Sequence, residues 1–249
     1  IMQEFQLPTI LHRTILTAGV GESFLAEKLT DVENKLPAHI KLAYLPRLGQ
    51  VRLRLSSIGN NQAELTKELD YYVEKIADAI PDNWIAKQDI PLEKVILDLM
   101  EAQQLTLSVA ESCTGGSLSQ MLTQHPGCSA VFTGGGIVYA NEMKIKLLNV
   151  KQTTLNQFGA VSEETVREMV VGALRNFGTD YAIAVSGIAG PNGGLPDKPV
   201  GTIWIAVANK QQIIAQKFTF GNKRQQNIER AAINAFNLLY RLLKSSIAQ

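Results

Sequence analysis

The run YAIAV at 181–185 is the segment that most constrains how this chain can fold. Every residue in it is apolar or aromatic. A short run without polar alternation is typical of a strand that is buried on both faces. Two clear helical patterns flank it: one begins at Ser162 with acidic residues in its first turn, where the helix dipole favours them, and one runs from about 224 to 244. The segment therefore predicts a central strand of an α/β fold.

The rest of the larger region alternates strand-like and helix-like segments. Strands are predicted at 105–110, 131–140, 203–208 and 213–220, the last two as a hairpin, and a further helix at 118–125. Three consecutive glycines make the second of these strands irregular. Because strands and helices in alternation favour a sheet covered by helices, we expect a three-layer α/β/α domain with a mixed sheet.

A domain boundary is predicted near residue 88. Pro81 breaks a helical run, and Pro91 opens a new amphipathic helix, a position that suits proline. Before the boundary, the patterns predict a strand, a helix, two alternating strands and a helix, at 13–17, 21–34, 39–44, 51–57 and 62–80. We expect a small α+β domain over 1–88 and a larger domain over 89–249.

Charge, hydropathy and cysteine content narrow the class of function. The net charge of +1 indicates no polyanionic partner. No apolar run reaches the roughly 20 residues that cross a bilayer, and no basic-then-apolar leader opens the chain, so we expect a cytoplasmic protein with no membrane contact. Cys113 and Cys128 are expected to be reduced, and no segment has metal-ligand spacing, so no metal is predicted. Ile1 in first position suggests a piece trimmed from a longer chain.

The segment AESCTGG at 110–116 is the first candidate for chemistry. It follows a predicted strand and precedes a predicted helix, so its side chains would lie at the carboxyl edge of the sheet beside the free N–H groups of a helix start. Ser112 could act there as a nucleophile with a ready oxyanion site. The alternative is a glycine turn in which Ser112 or Thr114 only caps the helix. Cys113 is a rival nucleophile, and the sequence does not decide between it and Ser112.

A histidine base for Ser112 is poorly supported by the sequence. Of the three histidines, two fall in the smaller domain, and His125 lies at the far end of the helix that Ser112 precedes. A lysine could serve instead if burial keeps it uncharged near neutral pH. Lys144, in YANEMK (139–144), follows the next strand, and Tyr139 is close enough to relay a proton or orient the lysine. The alternative is an ordinary solvated lysine on a helix.

A second glycine-rich segment, SGIAGPNGGLPDKPVGTIW, covers 186–204. It leaves the strand that ends at Val185, and open α/β sheets bind ligands in such loops at their strand ends. It contains neither a Walker A sequence nor a GxGxxG dinucleotide fingerprint. Basic residues near the start of the last helix could bind a phosphate or could be solvated surface charges: Lys223, Arg224 and Arg230.

These segments together resemble the CinA family, whose C-terminal domain includes the bacterial nicotinamide mononucleotide deamidases. The matching stretches occur in the family's order and cover most of residues 90–245: AESCTGG (110–116), YANEMK (139–144), GAVSEE (159–164), SGIAGPNGG (186–194) and KPVGTIW (198–204). The resemblance implies a cofactor-independent Ser-Lys amidohydrolase. Its substrate would be a pyridine mononucleotide, converted from nicotinamide mononucleotide to nicotinate mononucleotide and ammonia.

The resemblance also implies roles for individual residues. Ser112 matches the family's nucleophile, Lys144 its general base and Tyr139 its assisting tyrosine, which leaves Cys113 as a packed bystander. Further substrate contacts are expected from the two glycine-rich segments and from the start of the helix between them: Thr114, Gly115, Gly116, Asn141, Ser186 and Gly187.

The resemblance is less close in two places. Arg224 falls where the family has a basic residue suited to the substrate phosphate, but this segment holds one extra residue, and Ile228 occupies a site that is often arginine. In the smaller domain, AGVGES (18–23) and GQVRLRL (49–55) are similar to the family's KH-like middle domain. The molybdopterin-binding-like domain that opens long members has no counterpart here. We expect a homo-oligomer, with the smaller domain serving either for dimerisation or for tethering the domain that has no counterpart here.

Two other classes of function stay open on sequence alone. A nucleic-acid-binding module is disfavoured because residues 1–88 hold ten Lys and Arg against eleven Asp and Glu and contain no GxxG loop. A scaffold with a degenerate site is disfavoured because Ser112, Tyr139 and Lys144 are all present.

Overall fold

The computed structural model describes residues 8–247. The chain divides between Pro91 and Leu92 into two compact units. Each unit has its own sheet and its own apolar core. Within residues 8–247, no helix is both long enough and apolar enough to cross a membrane.

The smaller unit is a four-stranded antiparallel sheet with two helices. Its sheet order is β2-β3-β1-β4. The elements follow one another as β1 (Thr9–Ala18), α1 (Glu22–Glu33), β2 (Ile40–Arg47), β3 (Gln50–Gly59), α2 (Gln62–Ala79) and β4 (Trp84–Ala86). The predicted order of strands and helices is present, and β4 is an addition that the sequence patterns did not predict.

One face of this small sheet and one face of each helix make the core of the smaller unit. Along β3, Val51, Leu53 and Leu55 are buried at alternate positions, as expected for a strand with a single covered face. Leu29 of α1 and Leu69 of α2 are fully buried in the same apolar cluster. The α+β character expected for this part of the chain is confirmed.

The larger unit is a five-stranded mixed sheet, as predicted, with order β6-β5-β7-β8-β9. Strand β5 is parallel to β6 and β7, and the remaining pairs are antiparallel. Its elements are α3 (Leu92–Ala102), β5 (Leu107–Glu111), α4 (Ser117–Thr123), β6 (Phe132–Ile137), α5 (Asn141–Leu148), α6 (Gln152–Phe158), α7 (Glu163–Phe177), β7 (Tyr181–Gly187), β8 (Thr202–Ala208), β9 (Ile213–Thr219) and α8 (Arg224–Ile247). The sequence patterns did not predict α6.

Strand β7 lies in the middle of the sheet and is covered on both faces. Ala182 and Ala184 belong to the apolar cluster that includes the buried face of α7. Ile183 points to the opposite face and is also fully buried. Helices α7 and α8 both contact β7 and β8, which completes three layers. The all-apolar run that predicted a central strand is explained by this double burial.

Two hydrogen bonds extend the parallel ladder past the strand ends and position the site. The N–H of Ser112 donates to the carbonyl of Val185 at 3.0 Å, and the N–H of Val138 donates to the carbonyl of Glu111 at 2.8 Å. The chain segments that leave β5, β6 and β7 are therefore held together at one edge of the sheet. Parallel strands present their carboxyl ends at the same edge, which is where α/β sheets place functional groups.

Helix α7 crosses the end of α5 at Gly172. A Cβ atom on Gly172 would lie 2.1 Å from the carbonyl oxygen of Leu148, the last residue of α5. Backbone atoms cannot move aside as a flexible side chain can. The close approach therefore requires glycine, although glycine has a low helix propensity.

We predict that Gly172→Ala destabilises the protein by about 1–3 kcal/mol, because the overpacking cost exceeds the roughly 1 kcal/mol gained in helix propensity. The free energy of unfolding from chemical denaturation measures the change. Val171→Ala is the matched control, since Val171 neighbours Gly172 and is exposed, and it should change stability by less than about 0.5 kcal/mol. A Gly172→Ala protein as stable as the wild type would contradict this close packing.

Candidate active site

Ser112 and Lys144 meet at the carboxyl edge of the larger sheet. The Nζ atom of Lys144 lies 3.1 Å from the Oγ atom of Ser112. Ser112 follows β5 directly, and Lys144 lies in the first turn of α5, after β6. The two side chains are 7% and 1% exposed, respectively. The alternative of a solvated lysine is therefore wrong for Lys144.

The surroundings of the Lys144 amine suit its uncharged form. Nζ donates to the carbonyl of Val138 at 2.9 Å and to the carbonyl of Tyr139 at 3.0 Å. Burial lowers the pKa of Lys144 below its ordinary value, because desolvation disfavours the charged amine. A neutral amine has two N–H groups and one lone pair. Since the two carbonyls accept the two N–H groups, the lone pair is left for the hydroxyl of Ser112.

Tyr139 contributes to this arrangement through its backbone. Its carbonyl oxygen accepts from Lys144, but its side chain is 60% exposed and its hydroxyl accepts from Arg224 at 3.4 Å. The sequence suggested that the phenol could orient the lysine, whereas here the main chain does so. Arg224 also donates to the carbonyl of Gly190 at 2.8 Å. Tyr139 and Arg224 thus stand together at the mouth of the site.

Glu111 is a buried residue next to Ser112 that the sequence patterns did not single out. Its carboxylate is fully buried and accepts the N–H groups of Gly116, Leu118 and Ser119 at 2.9–3.1 Å. The amino terminus of α4 is therefore already occupied by an anion, and the expectation of free N–H groups there is wrong. An acidic residue placed shortly before a helix start, where the dipole favours it, was the available signal.

The N–H groups that are free to bind an oxyanion consequently differ from those expected. The N–H of Gly115 donates to the carbonyl of Ser112 at 3.1 Å, and the N–H of Gly116 donates to Glu111. Within residues 8–247, the N–H groups of Cys113 and Thr114 make no hydrogen bond to another residue. Of the expected donors in this turn, only Thr114 remains available, and Cys113 joins it.

The side chains of the same turn differ in accessibility. Thr114 is buried, and its Oγ1 atom has no hydrogen-bond partner among residues 8–247. Gly115 and Gly116 have φ angles of +60° and +105°, in the left-handed region that glycine tolerates. A Cβ on Gly115 would meet open space, whereas one on Gly116 would contact Ile137. The turn is thus exposed at Gly115, as close approach of a ligand requires.

Cys113 is an unsuitable nucleophile in this structure. The side chain is 4% exposed, and burial raises the pKa of its thiol to about 12. The charge of Arg224 acts in the opposite direction but is outweighed by desolvation. The thiol therefore remains protonated at neutral pH, and the structure favours Ser112 over Cys113.

Two of the expected substrate contacts, Ser186 and Gly187, are engaged in packing within the fold. Ser186 is buried and donates to the carbonyl of Ala160 at 2.6 Å, so its hydroxyl holds a neighbouring loop. A Cβ on Gly187 would lie 2.6 Å from the side chain of Ile203, which indicates close strand packing. Asn141 is exposed at the start of α5. For Ser186 and Gly187, the structure shows an evident packing role.

Asn227, which the sequence reasoning did not single out, anchors the second glycine-rich segment. It is fully buried, and its amide donates to the carbonyls of Ala189 and Gly221 at 2.9 and 2.8 Å. Together with Arg224, it fixes the base of the loop after β7 beside Tyr139. One helix start therefore presents both an anchoring amide and a guanidinium at the site.

Neither a histidine nor a metal cluster contributes to this edge of the sheet. The Nε2 atom of His125 lies 3.5 Å from the carboxylate of Glu93. Across residues 8–247, no group of three or more His, Cys, Asp and Glu side chains could hold a metal ion.

Comparisons with known proteins give a consistent family. The model of the CinA C-terminal domain matches residues 89–243, and the model of the damage-inducible protein CinA KH domain matches residues 12–85. A CinA-like protein of Cytophaga hutchinsonii is 41% identical over 244 residues, covering 98% of this chain and 58% of the relative. A putative competence-damage inducible protein of Clostridium beijerinckii is 36% identical over 242 residues, covering 97% and 59%. The chain thus spans less than two thirds of the length of these relatives.

Solved structures resemble the larger part of the chain. The competence/damage inducible protein CihA of Agrobacterium tumefaciens has a TM-score of 0.60 and 36% identity, covering 61% of this chain and 93% of that one. A CinA superfamily protein of Klebsiella pneumoniae has a TM-score of 0.60 and 35% identity, covering 62% and 96%.

The lowered pKa of Lys144 predicts a pH-dependent contribution to stability. Below pH 10.5, the ordinary pKa of a lysine, Lys144 is protonated in the unfolded chain. In the folded protein it stays uncharged until the pH falls to its lower pKa. Wild-type stability therefore falls as pH falls from 10.5 towards the folded pKa, and Lys144→Met removes this loss. We predict that the free energy of unfolding of Lys144→Met, relative to that of the wild type, increases by up to about 1.4 kcal/mol for each unit by which the pH is lowered over this range.

Chemical denaturation between pH 7 and pH 10 measures the difference. Lys146→Met is the matched control, because Lys146 is exposed on the same helix, and its stability difference from wild type should not change with pH. A pH-independent difference for Lys144→Met would mean that the buried amine keeps its ordinary pKa.

Proposed function

The chain belongs to the CinA family, and from that premise we propose that its larger unit is an amidohydrolase that deamidates nicotinamide mononucleotide. The products are nicotinate mononucleotide and ammonia. The names of the relatives state no reaction, so the site carries the proposal. The strongest support is the set of contacts made by one buried lysine. Two backbone carbonyls accept its N–H groups, and its Nζ atom lies 3.1 Å from a serine hydroxyl. That arrangement is a serine nucleophile with its general base in place.

The first half of the reaction is acylation of Ser112. Neutral Lys144 takes the hydroxyl proton, and Oγ attacks the carboxamide carbon. The resulting oxyanion accepts from the uncommitted N–H groups of Cys113 and Thr114, and each such donor typically contributes about 3 kcal/mol. A nucleophile at a strand-to-helix turn, with the next residue's N–H as an oxyanion donor, is a recurring arrangement in acyl-transfer enzymes.

The remaining steps complete acylation with release of ammonia and then regenerate the serine. Protonated Lys144 gives its proton to the departing nitrogen, which leaves as ammonia, and the acyl group remains as an ester on Ser112. Water then attacks the ester carbon, and Lys144 takes one of its protons. Collapse of this second intermediate releases the nicotinate carboxyl group and returns the proton to Ser112 Oγ.

The mouth of the site offers groups that suit a flat ring and a phosphate. Ile137 and Tyr139 are 56% and 60% exposed, and Ile137 lies against Gly116 of the nucleophile turn. They offer an apolar and aromatic wall for a pyridine ring. The guanidinium of Arg224 lies next to the Tyr139 hydroxyl and can pair with a phosphate by charge-assisted hydrogen bonds.

We predict that Ser112→Ala and Lys144→Ala each lower the kcat for ammonia release from nicotinamide mononucleotide by at least about 1000-fold, since each removes half of the proton-transfer pair. Ammonia is measured by a coupled assay at saturating substrate. Cys113→Ala is the control and should keep kcat within about threefold, because its buried thiol takes no part in the steps above. Unchanged turnover in either the serine or the lysine variant would remove that residue from the mechanism.

We predict that Arg224→Met raises the KM for nicotinamide mononucleotide by about 10- to 100-fold, the cost of charged hydrogen bonds to a phosphate. The KM for nicotinamide riboside, which lacks the phosphate, should stay unchanged. Lys223→Met is the matched control, because Lys223 is an exposed cation next to Arg224. An equal rise in KM for both substrates in Arg224→Met would assign Arg224 to support of Tyr139 and Gly190 instead.

A further inference from the structure

Glu111 is fully buried, and its two carboxylate oxygens together accept four hydrogen bonds. It is the last residue of β5 and immediately precedes Ser112. Its Oε2 atom accepts from the N–H groups of Gly116 and Leu118 at 3.0 and 3.1 Å. Its Oε1 atom accepts from the N–H and the hydroxyl of Ser119 at 2.9 and 2.8 Å. Each carboxylate oxygen thus serves two donors.

Only a carboxylate satisfies this arrangement. In a glutamine, one of the two oxygens becomes an NH2 group, which is a donor and cannot accept. Whichever way the amide turns, two of the four donors then face a donor, and at least one backbone N–H is left without a partner. The buried site therefore requires four acceptor positions and specifies glutamate.

The backbone of Glu111 reaches the other half of the catalytic pair. Its carbonyl oxygen accepts from the N–H of Val138 at 2.8 Å, and the carbonyl of Val138 accepts from Lys144 at 2.9 Å. Its side chain holds the turn and helix that follow Ser112, while its main chain holds the segment that orients Lys144. One residue is thus bonded to both segments that must meet at 3.1 Å.

The carboxylate also determines which N–H groups stay available. It takes three N–H groups at the start of α4, and the turn takes that of Gly115. The N–H groups of Cys113 and Thr114 are those left in this turn for a negatively charged oxygen. An anion at the helix start also neutralises the positive end of the helix dipole, so that the donors at 116–119 do not compete for the reacting carbonyl.

We propose that Glu111 is a positioning residue of the amidohydrolase reaction, which aligns Ser112 with Lys144 and confines oxyanion binding to the N–H groups of Cys113 and Thr114. It does not touch substrate. This inference rests on the proposed function where nicotinamide mononucleotide is the assay substrate. The effect of Glu111 on the reactivity of Ser112 does not depend on the identity of the substrate.

The experiment compares Glu111→Gln with Ser119→Ala in the full chain. Ser119→Ala removes one of the four hydrogen bonds to the carboxylate and leaves the backbone bonds in place, so it is the control for a loosened α4. We expect Glu111→Gln to lower kcat about 100-fold with KM within about twofold, as a small misplacement of reacting groups does. Ser119→Ala should keep kcat within about threefold.

A second readout does not depend on the identity of the substrate. A fluorophosphonate probe is attacked at phosphorus by the serine oxygen with loss of fluoride, and it needs only the nucleophile, its base and the oxyanion donors. The rate of labelling of Ser112 should fall in Glu111→Gln in parallel with kcat and stay near wild type in Ser119→Ala. A wild-type protein that is labelled at Ser112 without releasing ammonia would refute the proposed substrate and leave the role of Glu111 standing.

Four outcomes would overturn the role proposed for Glu111. The first is a folded Glu111→Gln protein with wild-type kcat and labelling rate. The second is an equal loss in Ser119→Ala, which would assign the effect to general loosening of α4. If Glu111→Gln does not fold, Glu111→Asp decides instead, because it keeps the charge but is one methylene too short. Wild-type labelling in the folded aspartate variant, or its failure to fold, would leave Glu111 a purely structural residue.

Discussion

The larger unit is organised around one buried amine. An ammonium ion in the position of Lys144 would lose its hydration, and no carboxylate accepts from its Nζ in the described structure. The neutral amine has the lower free energy in this position, because burial disfavours the charged form. Its two hydrogens bond to the main chain, and its lone pair is directed at Ser112. Burial therefore favours the uncharged amine, the form that could accept a proton. The sheet, the turn after β5 and the start of α5 serve to bring these few atoms together.

Parallel strands meet this requirement in a simple way. Strands β5, β6 and β7 end at one edge, and hydrogen bonds past their ends tie Ser112 to Val185 and Val138 to Glu111. Ser112 and Lys144 come from different segments, yet each segment is held by the ladder of the same sheet. Two left-handed glycines then turn the chain into α4 and leave an open approach at Gly115. The exposed side chains of Ile137 and Tyr139, together with Arg224, could select a ligand. Ser112 and Lys144 are buried.

The sequence was informative where a residue's environment follows from a repeating pattern. The apolar run of β7 and the alternation of strands and helices led to the right architecture. The pairing of Ser112 with Lys144 was only one possibility from the strand ends, and the resemblance to the family made it the expectation. The strand β4 and the helix α6 were not predicted, because three and seven residues are too few to show a period. The partners of Glu111, Ser186 and the Tyr139 hydroxyl were missed as well. Each depends on which atom of a distant segment comes within hydrogen-bond distance, and spacing along the chain does not contain that information.

The orientation of Lys144 by carbonyl oxygens has a consequence for how such a site can evolve. Every residue type has a carbonyl, so a mutation at Val138 or Tyr139 exchanges a side chain without deleting the acceptor that aims the lysine. The Tyr139 side chain, pointing outward beside Arg224, is therefore free to vary with the shape of the ligand. Selection could change the exposed residues around Tyr139 by single substitutions while the contact between Ser112 and Lys144 is kept.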